Sequence, residues 1–334
     1  MSTVVFMGTP DFAEGILKGL IDSDFQVIGV FTQPDRPKGR KGILQAPPVK
    51  TCAQEHGIPV WQPEKIRSEE NVRILQELSP DFIAVAAFGQ IIPQAILDIP
   101  RFGCLNVHAS LLPRWRGAAP IQWSILEGDR ETGVTIMRMN AGLDTGDIIE
   151  EISVPIAADE TGGSLFDKLM ETGSAMLPET MRRIEAGQAV YTPQPADSPT
   201  PYAKMLGRQD GCIDWSMSAE ALERRVRGLS PWPGTFTSLP DGKMLKIWSA
   251  RIPENGGAQE CTECAAAAGD GAAPAPGTIL GLTGDAIRVQ TGTGPLDLTE
   301  VQPEGKKRMR AADYLRGARL RQGDRLGSDQ GGEQ

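Results

Sequence analysis

The chain has 334 residues, about twice the usual size of one domain, so two domains are expected and no disulfide or metal staple is needed to hold a core. With 40% apolar and 23% charged residues it is neither a disordered, collagen-like nor coiled-coil chain, and its longest strongly apolar run, residues 83–88, is far too short to cross a bilayer. The formal charge of −9 speaks against a polyanionic partner for the chain as a whole, yet acids and bases balance from Pro201 onward, so the whole deficit lies before it.

The opening Met1-Ser-Thr-Val-Val-Phe-Met has no basic start and no long apolar stretch ahead of a cleavage site, so it reads as a core strand of a cytoplasmic protein. The five cysteines, odd in number and scattered, fit a reducing compartment. Strand 3–7 runs into Gly8 and then Thr9-Pro10, an N-cap residue with proline at the first helical position. Phe12, Ile16, Leu17 and Leu20 follow at helical spacing. Residues 27–32 form a second strand, 48–56 a helix closed by Gly57, 58–62 a short third strand, and 68–78 a helix with acids in its first turn, where the dipole favours them. Residues 81–87 form an apolar strand suited to the centre of a parallel sheet covered on both faces.

Residues 103–108 supply another strand and 118–127, stopped by Gly128, another helix. Strands 132–139 and 148–154 bracket the loop Asn140-Ala-Gly-Leu-Asp-Thr-Gly-Asp147, and a long helix runs from Ser164 to about Ala186, kinked at Pro178. Such alternation predicts an α/β, doubly wound, mostly parallel sheet over residues 1–190. Residues 192–201 hold four prolines and read as a semi-rigid linker, which places the boundary at 191–206. Beyond it, a helix at 218–227 and short strands near 235–239, 244–250, 278–280, 286–291 and 296–301 predict a five-stranded oligonucleotide-binding-type (OB-like) β-barrel over 207–322, followed by a disordered tail at 323–334. Residues 254–277, rich in Ala, Gly and Pro, are expected as a disordered loop between barrel strands.

The chemistry concentrates between Gly103 and Pro120. On an extended strand Asn106 and His108 share one side, and at the carboxyl end of a parallel strand that side can face the ligand crevice. An amide donor beside an imidazole suits acyl transfer, which needs donors aimed at a developing oxyanion and a group able to pass a proton. Asp144, in a Gly-flanked loop, can orient a protonated imidazole. Each residue also has an ordinary structural use: His108 as a hydrogen-bonded core histidine, Asn106 as a loop cap, Asp144 in an Asx-turn. Spacing alone does not separate the two uses. His56, just before Gly57, suits a helix C-terminal dipole partner. A nicotinamide dehydrogenase would also begin strand, Gly, helix, but Gly8 is alone where a Gly-x-Gly-x-x-Gly turn belongs, and the second strand ends in Thr32-Gln-Pro rather than an acid. A non-enzymatic RNA-binding protein is the competing class, on the strength of the barrel and the basic run Lys306-Lys307-Arg308-Met309-Arg310.

Asn106-x-His108-x-Ser110-Leu-Leu-Pro113 with Asp144-x-Gly146-Asp147 is similar to the signature of enzymes that take formyl from 10-formyltetrahydrofolate. With Gly8-Thr-Pro-Asp-Phe-Ala13, Gln33-Pro-Asp-Arg-Pro37, Ser110 through Pro120, Leu143 through Asp147, Ile213-Asp-Trp-Ser216, Pro231-Trp-Pro233 and Gly305-Lys-Lys307, the chain from residue 3 to about 316 resembles the methionyl-tRNA formyltransferase family. The resemblance implies a Rossmann-like formyltransferase domain, a barrel domain that helps hold tRNA, and transfer of formyl from 10-formyltetrahydrofolate, as co-substrate, to the α-amino group of initiator methionyl-tRNA for translation initiation. Carried over residue by residue, it implies catalytic roles for Asn106, His108 and Asp144. The folate pocket falls on Phe88, Gly89, Gln90, Ile91, Ser110, Leu111, Leu112, Pro113 and the backbone around Asp144. Contacts to tRNA fall on Phe12, on the basic loop with Arg36, Lys38, Arg40 and Lys41, and on Lys306 and Lys307. No metal and no membrane enter the scheme, and since one chain builds one site a monomer is expected. Small amine acceptors would use the same Asn, His and Asp; the basic loop and second domain set a tRNA acceptor apart. The long 254–277 segment departs from the family's pattern, and its Cys261-x-x-Cys264 lacks the second pair or histidine of a structural zinc site.

Overall fold

The computed structural model describes residues 1–38, 42–253 and 274–327. They form two compact units: Met1–Ile121, Arg130–Ile156 and Ser164–Met205 make unit 1, while Gln122–Asp129, Ala157–Gly163 and the chain from Leu206 on make unit 2.

Unit 1 is built on β1 (Thr3–Gly8), β2 (Gln26–Phe31), β5 (Val60–Trp61), β6 (Phe82–Ala86), β7 (Cys104–His108), β8 (Glu131–Arg138) and β9 (Ile148–Pro155), in the order β5-β2-β1-β6-β7-β8-β9. The first five in that order run parallel, β8 pairs antiparallel with β7, and β9 antiparallel with β8. The chain winds outward from β1 to β5 and then resumes on the other side at β6, so the switch in strand order lies between β1 and β6. A crevice at the carboxyl ends of the strands is the usual ligand position in such a sheet. Val4 to Met7 of β1 are fully buried, as a strand covered on both faces requires.

Helix α1 (Asp11–Ile21) follows β1, with Asp11 and Glu14 in its first turn and a 2.7 Å Glu14–Lys18 ion pair one turn apart. Its N-cap is Pro10, not Thr9; the Thr9 hydroxyl donates instead to the Phe88 carbonyl at 3.2 Å, tying the ends of β1 and β6 together. Helices α2 (Pro48–Glu55), α3 (Glu69–Leu78), α4 (Gln94–Leu97), α5 (Pro120–Leu126) and α6 (Gly162–Glu185) complete the series. The basic segment, expected as an irregular loop, begins and ends in a short antiparallel ladder: β3 (Arg36–Lys38) pairs with β4 (Ile43–Gln45), Arg36 opposite Gln45. Arg40 and Lys41 lie outside the described residues.

The proline-rich segment is no free spacer. Unit 1 continues to Met205 because backbone groups that proline keeps out of regular structure find partners elsewhere in the unit. Thr192 and Ile148 exchange backbone bonds of 2.8 and 2.9 Å, Ser198 Oγ donates to the Pro113 carbonyl at 2.8 Å, Trp115 N donates to Thr200 Oγ1 at 2.8 Å, and Ala203 N donates to the Arg116 carbonyl at 2.8 Å. Residues 192–203 therefore run as a strap along the segment 113–119.

In unit 2, β10 (Thr235–Ser238), β11 (Met244–Arg251), β14 (Pro295–Pro303), β13 (Ile287–Gln290) and β12 (Ile279–Leu282) lie side by side in that order, all antiparallel, and β15 (Met309–Arg310) pairs with β14. Among the described residues no ladder joins β10 to β12. Helix α7 (Ala219–Gly228), capped by Ser218 accepting from Ala221 N at 3.1 Å, sets Leu222 and Val226 into the core with Leu245, Ile247, Ile287, Val289, Leu298 and Val301. A short helix, α8 (Ala311–Leu315), follows β15. Residues 323–327, expected within a disordered tail, are instead held in place: Leu326 is buried in the core, and its N–H and that of Gly327 donate to Gly277 and Ser238 carbonyls at 2.8 and 2.9 Å. One apolar side chain with room to bury is enough to order residues 323–327. The Cys261 and Cys264 pair lies outside the described residues.

Candidate active site

Strand β7 sits between β6 and β8 and is buried along its whole length. Its two-residue period puts Asn106 and His108 on one side, and both side chains are buried, 9% and 6% exposed. The loop between β8 and β9 brings Asp144 to them. Asn106 Nδ2 lies 3.5 Å and His108 Nδ1 3.9 Å from the same oxygen, Asp144 Oδ1. The other oxygen, Oδ2, accepts the Gly117 N–H at 2.9 Å. The Asn106 amide thus reaches one carboxylate oxygen at the outer edge of hydrogen-bonding range, the imidazole Nδ1 stands just beyond that range from the same oxygen, and the backbone pins the other.

The histidine ring is oriented from behind. Its Nε2 lies 3.1 Å from the Trp115 carbonyl. A carbonyl only accepts, so Nε2 carries the proton and Nδ1 is the nitrogen turned toward Asp144 and the reacting groups. The turn that supplies this carbonyl is itself braced: Ser110 Oγ donates to the Arg114 carbonyl at 2.7 Å, and Thr135 of β8 donates to the Ser110 carbonyl at 2.7 Å while accepting the Leu112 N–H at 3.1 Å.

Two glycines make the carboxylate's position attainable. A Cβ on Gly146 would stand 1.8 Å from the Arg138 carbonyl oxygen, so only glycine lets the loop close on β8. Gly117 has φ +129 and presses against Tyr202 and the Ala203 carbonyl. Asp144 itself adopts φ 52, a left-handed conformation that aspartate tolerates better than most residues. Burial, and then the Asp144 carboxylate, push the Tyr202 phenol above its ordinary pKa. Burial also raises the Glu151 carboxyl, opposed by its bond from Thr135. The Cys104 thiol, on the same strand as the pair, is pushed up to about 12 by burial and is no nucleophile near neutral pH.

The remaining expected positions divide. Ser110 and Leu112 are buried in the braced turn, Leu111 and Pro113 half-buried. Phe88 is buried and offers its carbonyl to Thr9 and to Gln33 Nε2, whereas Ile91 is 79% exposed. Gly89 has φ +81, and the Gln90 amide accepts from Ile66 N at 2.7 Å and donates to the Pro63 carbonyl at 3.0 Å. Arg36 is exposed at the base of the hairpin, and Lys306 and Lys307 are exposed in the β14–β15 turn of unit 2. Phe12 does not reach the surface expected of a tRNA contact: it is 5% exposed, with its ring edge-on to Phe166 at 5.7 Å, because α1 buries that face in the unit 1 core. His56 Nδ1 lies 2.8 Å from the Cys52 carbonyl at the end of α2, as a C-terminal partner does.

Sequence reading missed Gln194. Its Oε1 accepts from Arg116 Nε and Nη2 at 3.1 and 2.8 Å, and its Nε2 donates to the Asp144 and Gly146 carbonyls at 3.0 and 2.7 Å. No local signal marked it, since it lies in a stretch whose prolines suggested a spacer.

Residues 1–181 match the family model described as formyl transferase, and residues 205–319 the model of its C-terminal domain. The chain is 48% identical over 320 residues, 96% of its own length and 98% of the other's, to the methionyl-tRNA formyltransferase of Agathobacter rectalis. The chain belongs to the methionyl-tRNA formyltransferase family. Other curated members include that of Citrifermentans bemidjiense, 48% identical over 97% of this chain and 96% of that one, and that of Bacillus licheniformis, 48% identical over 98% and 99%. As a methionyl-tRNA formyltransferase family member, this chain is a formyl-transferring enzyme, and the Asn106, His108 and Asp144 cluster lies within residues 1–181 that the formyl transferase model matches. Solved structures share the fold. WlaRD, a sugar 3N-formyl transferase, superposes with a TM-score of 0.62 at 16% identity, covering 92% of this chain and 99% of that one. HypX from Aquifex aeolicus, solved in complex with tetrahydrofolic acid, superposes with a TM-score of 0.56 at 17% identity, covering 94% of this chain and 47% of HypX. No helix among the described residues is long and apolar enough to cross a membrane.

Proposed function

We propose that this chain transfers the formyl group of 10-formyltetrahydrofolate to the free α-amino group of initiator methionyl-tRNA, working in the cytoplasm as a single chain, with Asn106, His108 and Asp144 as its catalytic residues. The observation that carries this assignment is the convergence of Asn106 Nδ2 and His108 Nδ1 on Asp144 Oδ1, in a chain whose curated relatives at this level of identity are methionyl-tRNA formyltransferases.

The neutral amine attacks the formyl carbon, its lone pair forming the new C–N bond while the carbonyl electron pair moves onto oxygen. Asn106 Nδ2, and the imidazole once its Nδ1 has taken up a proton, stabilise that oxyanion where water screens little. Collapse of the tetrahedral species re-forms the carbonyl and breaks the bond to folate N10. One proton must pass from the attacking nitrogen to N10, and Asp144 with the Nδ1 side of His108 takes it up and returns it. The buried turn at Ser110 to Pro113 and the segment Phe88 to Ile91 hold the folate, with the Asp144 backbone at one edge. Arg36, Lys38, Arg40 and Lys41 of the basic segment, with Lys306 and Lys307, supply cations for the RNA backbone.

The test supplies charged initiator tRNA and a donor labelled in its formyl group. Labelled formyl-methionyl-tRNA is expected from the wild type, and His108→Ala should lower turnover by about a hundredfold or more, the scale of losing one oxyanion or acid–base group, while the protein stays folded. A folded His108→Ala enzyme with normal turnover removes the assignment.

A further inference from the structure

Arg116 is 7% exposed and carries a full charge, yet its hydrogen bonds go to neutral oxygens: Gln194 Oε1 and the carbonyls of Pro195 and Ala196. A buried charge is costly unless its donors are satisfied, and among the described residues these four bonds, with no carboxylate among them, are what hold the guanidinium in place. Its neighbours in sequence are the two backbone groups that set the catalytic pair: the Trp115 carbonyl on His108 Nε2 and the Gly117 N–H on Asp144 Oδ2. Gln194 joins this tripeptide to the other side of Asp144. Guanidinium donors demand an oxygen and carbonyls demand an N–H, so the amide has one orientation: Oε1 toward Arg116, Nε2 toward the Asp144 and Gly146 carbonyls. A closed circuit results, from the Asp144 carbonyl through Gln194, Arg116 and Gly117 back to the Asp144 carboxylate.

We infer that Gln194 is a positioning residue for formyl transfer: its side-chain amide locks the left-handed turn at Asp144 to the Trp115–Gly117 segment and so fixes the carboxylate against His108. This rests on the catalytic reading of Asp144. The left-handed backbone at Asp144 is costly for a side-chain-bearing residue and persists only when surrounding bonds over-determine it. Two donors from one amide do this from the carbonyl side, and the Gly117 N–H does it from the carboxylate side. The strap of residues 192–203 is thereby part of the catalytic apparatus.

Gln194→Glu separates the positioning role from a structural one. The carboxylate still accepts from Arg116, so the strap stays anchored, but it presents an oxygen and no donor to the Asp144 and Gly146 carbonyls. The full-length variant should keep its melting temperature and its KM for methionyl-tRNA while kcat falls about ten- to a hundredfold, the loss that follows a misplacement near 1 Å. Introduced into Asp144→Asn, the same change should add less than about twofold, because residues acting through one group are not additive. Should Gln194→Glu fail to fold, Gln194→Met, of similar length and without polar atoms, enters the same cycle. A kcat within twofold of wild type, or a loss that repeats in full in the Asp144→Asn background, overturns the inference. Wild-type kcat in Asp144→Asn alone would instead remove the catalytic reading beneath it.

Discussion

Asp144 is held by groups that are individually ordinary and jointly restrictive. Its Oδ2 takes a backbone N–H, its carbonyl takes a side-chain amide, and its φ of 52 is allowed because Gly146, two residues on, lets the loop close within contact of the Arg138 carbonyl. The consequence is specific. In Gly146→Ala the new methyl would meet a backbone oxygen at 1.8 Å, which no rotamer relieves, so the loop must move and Asp144 with it. Turnover should fall about a hundredfold, while stability falls only about 1–3 kcal/mol, the usual cost of local strain in one loop. Steady-state kinetics beside thermal unfolding checks the split; wild-type turnover in a folded Gly146→Ala enzyme would show that the loop has slack that its packing denies.

Among the elements, the β3–β4 hairpin has a base that the fold grips. Asp35, at the base, accepts both bonds of Lys50 from α2, at 2.8 and 2.9 Å, and a 2.7 Å bond from Gln62. The Lys50 ammonium first, and the Gln62 amide second, hold the Asp35 carboxyl below its ordinary 3.8. A carboxyl depressed in the folded state contributes stability that is present above its unfolded pKa and lost as pH falls through the lower, folded value. Acidification below about pH 4 should therefore free the hairpin base. Protease cutting between β3 and β4 should rise over that range in the wild type, read with an acid-active protease. In Asp35→Asn it should already be raised at neutral pH and respond less to acid. The same cutting profile in both proteins would mean that Lys50 and Gln62 do not anchor the hairpin.

Taken together, the enzyme carries −9, so under the proposed function RNA is met by local cations, among which Arg36, Lys306 and Lys307 are exposed in the described residues. Binding through such cations releases counterions, so affinity for methionyl-tRNA should fall with salt far more steeply than affinity for the folate donor. With three phosphate contacts, a rise from about 50 to 200 mM monovalent salt should raise the tRNA KM by roughly fortyfold. Replacing Arg36 and Lys38 with alanine should flatten that slope in proportion to the contacts removed, which salt titration of KM reads directly. A slope unchanged in the double variant would place the phosphate contacts elsewhere.

Much of this was readable before any coordinates. The apolar runs of β1, β6 and β7 announced a buried parallel sheet because strands covered on both faces have no polar side to show, and Ser218 announced the start of α7 because its hydroxyl finds an orphan N–H in the first turn. Asn106 and His108 announced a shared side because the strand period is two. These are local consequences of chain geometry, legible over a few residues. Asp144 was a candidate from its Gly-flanked loop, but family resemblance was needed to join it to the pair, since nothing local sets a loop residue 36 positions beyond His108 against its ring. The burial of Phe12 and of Leu326, and above all Gln194, lay beyond sequence reading for a common reason. A proline-rich stretch states which hydrogen bonds it will not make within itself; which carbonyls and amides it meets instead is decided by contacts across the fold, after the sheet has set Arg116 and Asp144 within reach of one side chain.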